Sequence, residues 1–236
     1  MEDFKVFQID CKVYLLKDIT FHNLFSEIAT YVDKTLSTDK DLLDFHRATG
    51  YKYYVLSGFK ELEKDKCYKA GKLYTFSIRC IKEELCNFFL RKLGEGKTET
   101  MKGLITTMKV IPRRPIEKLY TITPALIKLE GEGYWRGTLS LDQYEKRLND
   151  NSVKKFQQLT GVKIDDNFRF YDGIKFLNQK PISNYYAKKD ISLLGDKLEL
   201  YISNDEQSQK IAYMLLGTGV LENNSRSYGY LNYKSM

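Results

Sequence analysis

The stretch GTGVLENNSRSYGY, residues 217–230, decides how the rest of the chain is read. Before it, residues 205–216 carry apolar side chains at helical spacing. After it, residues 228–233 alternate apolar and polar. The order is helix, glycine loop, strand. Glycine accepts positive φ and lets other atoms approach the main chain closely. Exposed N–H groups in such a loop can hold phosphate, and Arg226 adds charge-assisted hydrogen bonds. The same glycines also suit a helix C-cap at Gly217 and a strand entry at Gly229.

Working outward, the chain repeats one order of elements twice. Residues 4–16 alternate as a strand, with a phase slip near Gln8 that suggests a bulge. Thr20 or Asp18 can start a helix whose apolar positions, Phe21, Leu24, Phe25, Ile28 and Val32, run to about Leu36. Thr38 with Asp41 resembles a capping box for a short helix over 40–47, stopped by Gly50. Strands follow at 51–59 and 72–81, a helix at 82–93 ending at Gly94, and a strand at 101–111. This is β-α-β-β-α-β, the ferredoxin-like arrangement. The Pro112-Arg-Arg-Pro115 segment marks a boundary. Beyond it come a strand at 119–129, a helix at 141–159, strands at 168–177 and 191–202, then the helix, loop and strand of the opening stretch. The expected fold is α+β, two tandem ferredoxin-like domains, 1–113 and 114–236.

Composition bounds the function. The chain has 236 residues, 42% hydrophobic, and a formal net charge of +7. A basic surface favours a polyanionic partner, and 18 tyrosines with 13 phenylalanines supply rings on which unpaired bases can stack. No run approaches the roughly 18 apolar residues of a spanning helix. The first residues lack a signal-peptide core. The reading is a soluble, cytoplasmic protein with no membrane. Cys11, Cys67, Cys80 and Cys86 form no Cys-x-x-Cys pair and only two histidines are present, so no metal or cofactor is expected. The thiols are read as reduced and mostly core.

The glycine stretch resembles the carboxy-terminal loop of the repeat-associated RNA-binding superfamily, and within it the Cas-six endoribonucleases. The family pattern is Gly-x-Gly, a polar stretch with Asn-Ser, then Gly-aromatic-Gly. Here it reads Gly217-x-Gly219, Asn224-Ser225 and Ser227-Tyr228-Gly229, with Ser227 where a glycine is usual and a slightly longer loop. The resemblance covers essentially the whole chain and implies two tandem ferredoxin-like domains.

It also implies chemistry. Members of that family carry a Tyr, His, Lys trio in the first helix, second helix and next strand. Residue by residue this gives Tyr31, His46 and Lys52. Histidine titrates near neutrality and suits proton transfer. Lys52 would stabilise phosphorane charge. Tyr31, bordering the Leu24–Ile28–Val32 face, would emerge at the helix–helix edge. His22, at the first helix start, is the competing histidine. The implied activity is metal-independent cleavage of CRISPR precursor RNA within repeats by 2′-hydroxyl attack, leaving a 2′,3′-cyclic phosphate and a 5′-hydroxyl. RNA would be held by Gly217, Gly219, Ser225, Arg226, Ser227 and Gly229, with Lys188 and Lys189 after Tyr185-Tyr186 on a hairpin. Lys154 and Lys155 read as a solvated helix face, and Trp135 as a packing anchor. The implied partner is CRISPR repeat RNA, single-stranded or hairpin; other effector subunits or a second copy could join it. A catalytically silent RNA-binding subunit of a CRISPR effector shares these features. A regulatory or assembly protein without RNA is the reading from another class.

Overall fold

Successive side chains of a strand point to opposite faces, and β1 (Val6–Leu15) shows the result: Phe7, Ile9, Cys11, Val13 and Leu15 are buried on one side. The computed structural model describes residues 4–129, 133–186 and 190–236. A two-residue strand, β2 (Ile19–Thr20), pairs with β4 (Cys67–Tyr68). α1 (Leu24–Leu36) therefore starts later than the sequence suggested, after a turn that contains His22. α2 (Lys40–Arg47) is capped by Asp39, whose carboxylate accepts from the Leu42 amide at 3.0 Å. Thr38, the expected cap, instead donates back to the Thr35 carbonyl at 2.8 Å. β3 (Tyr54–Phe59), β5 (Leu73–Cys80), α3 (Glu83–Lys92) and β6 (Met101–Ile111) complete this half. The sheet order is β3-β5-β1-β6, antiparallel throughout. The bulge expected near Gln8 falls between Lys12 and Val13, where the pairing with β6 shifts.

After Pro112–Pro115 the second unit runs β7 (Ile116–Thr121), α4 (Leu141–Thr160), β8 (Tyr171–Phe176), a hairpin of β9 (Ile182–Tyr186) and β10 (Ile191–Gly195), β11 (Leu198–Ile202), α5 (Glu206–Thr218) and β12 (Leu231–Ser235). Its four-stranded sheet has order β12-β7-β11-β8. Both sheets thus place the fourth strand beside the first and the third between first and second, the ferredoxin-like order. The strand expected over 191–202 is two strands, turned at Asp196, whose backbone pairs with Ala125. β7 is shorter than expected because residues 124–126 leave the sheet to bridge Asp196 and Glu222. Trp135 is the anchor the sequence suggested: it is buried against Tyr144 and Phe176, and its indole N–H donates to Asp196 at 2.6 Å. Cys11, Cys80 and Cys86 are buried and Cys67 is half-buried, all as free thiols.

The two cores interlock. Val6, Ile81 and Ile111 pack into the second apolar cluster, while Leu126 and Tyr228 pack into the first. Tyr213 of α5 ties the halves together, donating to the Ile111 carbonyl at 2.7 Å and accepting from the Val6 amide at 3.1 Å. α5 is therefore fixed across the junction, and its C-terminal end delivers the glycine-rich loop to α1 and β3. Among the described residues no helix is long and apolar enough to cross a membrane.

Candidate active site

α1 buries Phe25, Ile28, Ala29, Val32 and Leu36, which leaves Asp33 on its flank toward α2. α2 turns Leu42 and Phe45 onto the first core, and His46 follows Leu42 by four residues, hence on the same face. A polar contact joins the two helices: His46 Nε2 lies 3.0 Å from Asp33 Oδ1. The other carboxylate oxygen, Oδ2, holds Arg226 Nη1 at 2.5 Å. His46 Nδ1 lies 3.1 Å from the Tyr54 hydroxyl at the start of β3. The side chains of His46, Asp33 and Arg226 are 11%, 17% and 18% exposed, so the line is largely screened from water. It runs Arg226, Asp33, His46, Tyr54, and Ser225 hydrogen-bonds the Tyr54 hydroxyl from the loop.

The electrostatics follow from this packing. Burial alone would raise the Asp33 carboxyl, but the His46 hydrogen bond and the Arg226 charge hold it well below the usual carboxylate range. Burial, then the nearby Asp33 charge, pushes the Tyr54 phenol well above its ordinary value. A neutral imidazole has one donor and one acceptor. With Nε2–H given to the carboxylate, Nδ1 is the acceptor and the Tyr54 hydroxyl its donor.

Tyr54 and Ser225 also line a cleft of about 540 Å³ between residues 48–54, α4 and the loop. Lys52 stands in its wall. Its ammonium donates to the carbonyls of Phe45 (2.8 Å) and Ala48, at the C-terminal end of α2. Burial lowers its pKa. Two of three donors are used, and the third is available to a phosphate in the cleft. Lys52 is thus anchored beside His46 at the end of α2, but the two do not face one cleft as expected: Lys52 lines it, whereas His46 lies behind Tyr54.

Tyr31 does not join them. It is 1% exposed, and its hydroxyl donates to the Leu93 carbonyl beneath β6. A Cβ at Gly96 would come 2.6 Å from that hydroxyl, so the glycine leaves room for the phenol. The expectation of an emerging edge fails because Tyr31 faces the sheet, stacking edge-on with Phe76. The phenol beside the histidine is Tyr54.

The loop departs from expectation in a consistent way. Gly217 is inside α5, where a Cβ would come 2.9 Å from Ile81, so its role is close packing. Gly219 ends α5 at φ +75° and faces Asn224, and a Cβ at Gly229 would overlap the Val220 carbonyl. These glycines close the loop on itself. Ser227 is fully buried in the left-handed region. The part that reaches the surface is Glu222–Arg226, with Ser225 half-buried and Arg226 committed to Asp33. Lys155, expected on a solvated face, is 2% exposed and donates to the loop. Lys188 and Lys189 lie outside the described residues. The pair β9 and β10 rests on the α1 entry, where Tyr185 stacks with His22 at 5.8 Å and its amide donates to the His22 carbonyl. His22 is thus engaged by the hairpin, away from the Asp33 line.

Sequence reasoning passed over Asp33, Tyr54 and Lys155. Asp33 had a signal, being an acid that directly follows Val32 of the apolar face of α1. Tyr54 and Lys155 sit in apolar or charged runs that read equally well as core and surface. Among the described residues no three His, Cys, Asp or Glu side chains converge as a metal site.

Solved structures share this topology over nearly the full chain. A protein described as a CRISPR associated protein Cas6 superposes with a TM-score of 0.70 at 16% identity, covering 98% of this chain and 100% of its own. The fold is that of Cas6. A RAMP protein described as binding different RNA substrates matches the Cas6-like fold equally well, with a TM-score of 0.71 at 16% identity over 97% and 100% of the two chains. A Cas6-related protein from Pyrococcus furiosus gives 0.65 at 18% identity over 97% and 98%. No protein-family profile and no curated protein sequence matches the chain.

Proposed function

We propose that the protein is a Cas6-type endoribonuclease that cleaves CRISPR precursor RNA within its repeats without a metal ion. The observation that carries this reading is the line Arg226–Asp33–His46–Tyr54, which joins a candidate RNA-binding loop to a proton-transfer group. The RNA 2′-hydroxyl attacks the adjacent phosphate. Its proton passes through the Tyr54 hydroxyl to His46 Nδ1, and Asp33 stabilises the imidazolium that forms. Lys52 meets the charge on the phosphorane. The P–O5′ bond breaks and the leaving oxygen takes a proton from solvent, to which the imidazolium returns its own, so the products are a 2′,3′-cyclic phosphate and a 5′-hydroxyl. Base catalysis of this kind contributes about 10²–10⁴-fold. Ser225, Lys188 and Lys189 supply phosphate and backbone contacts.

One observation favours a second reading, an RNA-binding subunit without turnover. Both ring nitrogens of His46 already have protein partners, so the ring must surrender one to act directly. Incubating the protein with labelled repeat RNA in excess EDTA separates the readings. Cleavage that stops with a 2′-deoxy nucleotide upstream of the cut supports the nuclease. Tight binding without cleavage supports the silent subunit, and RNA neither bound nor cut rejects both. Activity lost in chelator and restored by Mg²⁺ overturns the acid–base mechanism.

A further inference from the structure

The proposed chemistry leaves a buried cation, Lys155, unused. Lys155 lies on the inner face of α4, behind the glycine-rich loop. An ammonium carries three donors and no acceptor. All three of its donors are spent on the loop: the Gly219 carbonyl at 3.0 Å, the Leu221 carbonyl at 2.7 Å and Asn224 Oδ1 at 2.7 Å. The Tyr51 ring lies 5.5 Å from Nζ and offers its face to the charge. Asn224 extends the arrangement, donating through Nδ2 to the Val220 carbonyl at 2.9 Å and the Tyr228 carbonyl at 3.0 Å.

The loop needs such a centre. Its backbone takes positive φ at Gly219, Leu221, Asn223, Ser227 and Gly229. Asn223 tolerates this region, but Leu221 and Ser227 have side chains that disfavour it, and such conformations persist only where the surroundings over-determine them. An apolar side chain of similar length would fill the same space without the desolvation cost of a buried charge. It would leave the Gly219 and Leu221 carbonyls and the Asn224 amide oxygen without their donor. What the ammonium supplies is direction.

We propose that Lys155 is a positioning residue for the site: the loop is folded onto its ammonium, and the loop in turn sets Arg226 against Asp33. The functional half of this rests on the proposed nuclease reading; the structural half does not. Lys155→Met tests both. Amide exchange in residues 219–228 of the free protein is expected to accelerate tenfold or more, with α4 and both sheets unchanged. Affinity for a labelled repeat RNA should fall at least tenfold. Because Lys155 acts through Arg226, adding Lys155→Met to Arg226→Ala should cost less than a further threefold in single-turnover cleavage. Loop exchange equal to wild type overturns the proposal, and so do rate losses that multiply. If Lys155→Met does not fold, Asn224→Leu carries the test, since it removes an acceptor of the ammonium from the half-exposed loop. Unchanged loop exchange in that variant overturns the proposal too. Accelerated loop exchange in a protein whose wild type ignores RNA upholds the positioning role and rejects the nuclease reading instead.

Discussion

Replacing Arg226 by alanine removes the cation from Asp33 and leaves the His46 contact in place. The pair is 2.5 Å long with both side chains more than four-fifths covered. A hydrogen bond to a charged group contributes about 1.5–3 kcal/mol, and stripping one partner from a buried pair costs about 3–5 kcal/mol. The residual exposure and the remaining His46 contact argue for the lower part of that span, about 2–3 kcal/mol. In chains of this size about 1 kcal/mol moves Tm by roughly 2–4 °C, so Arg226→Ala should melt about 4–12 °C lower at pH 7. The pH dependence gives a sharper check. Asp33 is held below the usual carboxylate range in the folded protein. Its contribution is therefore complete above the unfolded carboxylate value, near pH 4, and is lost as pH falls through the depressed folded value. Without Arg226 that depression shrinks, so the gap between variant and wild type should be widest above pH 4 and narrow progressively below it. Thermal melts of both proteins from pH 7 to pH 2.5 measure this. A gap independent of pH would refute the ion-pair account, and Arg226 would be a packing residue.

Three further outcomes follow from the same geometry. His46→Ala should slow single-turnover cleavage of bound repeat RNA by about 10²-fold or more while affinity stays within a few-fold; an unchanged rate would remove His46 from the chemistry. Tyr54→Phe should slow cleavage about tenfold or more, whereas Tyr31→Phe should leave the rate unchanged and cost about 1 kcal/mol of stability through the lost bond to Leu93; the reverse pattern in kinetics and melts would restore Tyr31 to the site. Gly229→Ala places a Cβ on the Val220 carbonyl at φ +69° and should destabilise by about 1–3 kcal/mol; a melt within 1 °C of wild type would show that the loop is not closed as described.

The fold was legible where periodicity is strong. The alternation in β1 and the apolar stripes of α1 and α5 gave the element order, and the order gave the topology. The split at Asp196 was not legible, because it depends on Ala125, Tyr134 and Trp135 converging on one residue. In the site, His46 and Lys52 were implied by the family resemblance, and their positions on one short helix and its exit place them near each other. Tyr31 misled because a helical wheel fixes a face only to within about a residue, and the pockets at Gly96 and Gly103 that accept its hydroxyl come from β6 and the turn before it. Arg226 was read as a phosphate contact and not as an ion-pair partner, because Asp33 lies 193 residues away. Lys155 shows the same limit: a lysine between charged neighbours on a helix gives no sign that three loop acceptors await it.

That separation of 193 residues also sets an order of assembly. Asp33 and His46 leave the ribosome early, with α1, α2 and β3 able to form around them. At about 5–20 residues per second, Arg226 arrives roughly 10–40 s later. During that interval the carboxylate faces the imidazole without its counter-ion. The line from Arg226 to Tyr54 is completed only when α5 has docked across both sheets and turned the loop back over α1, so it is among the last contacts the nascent chain acquires.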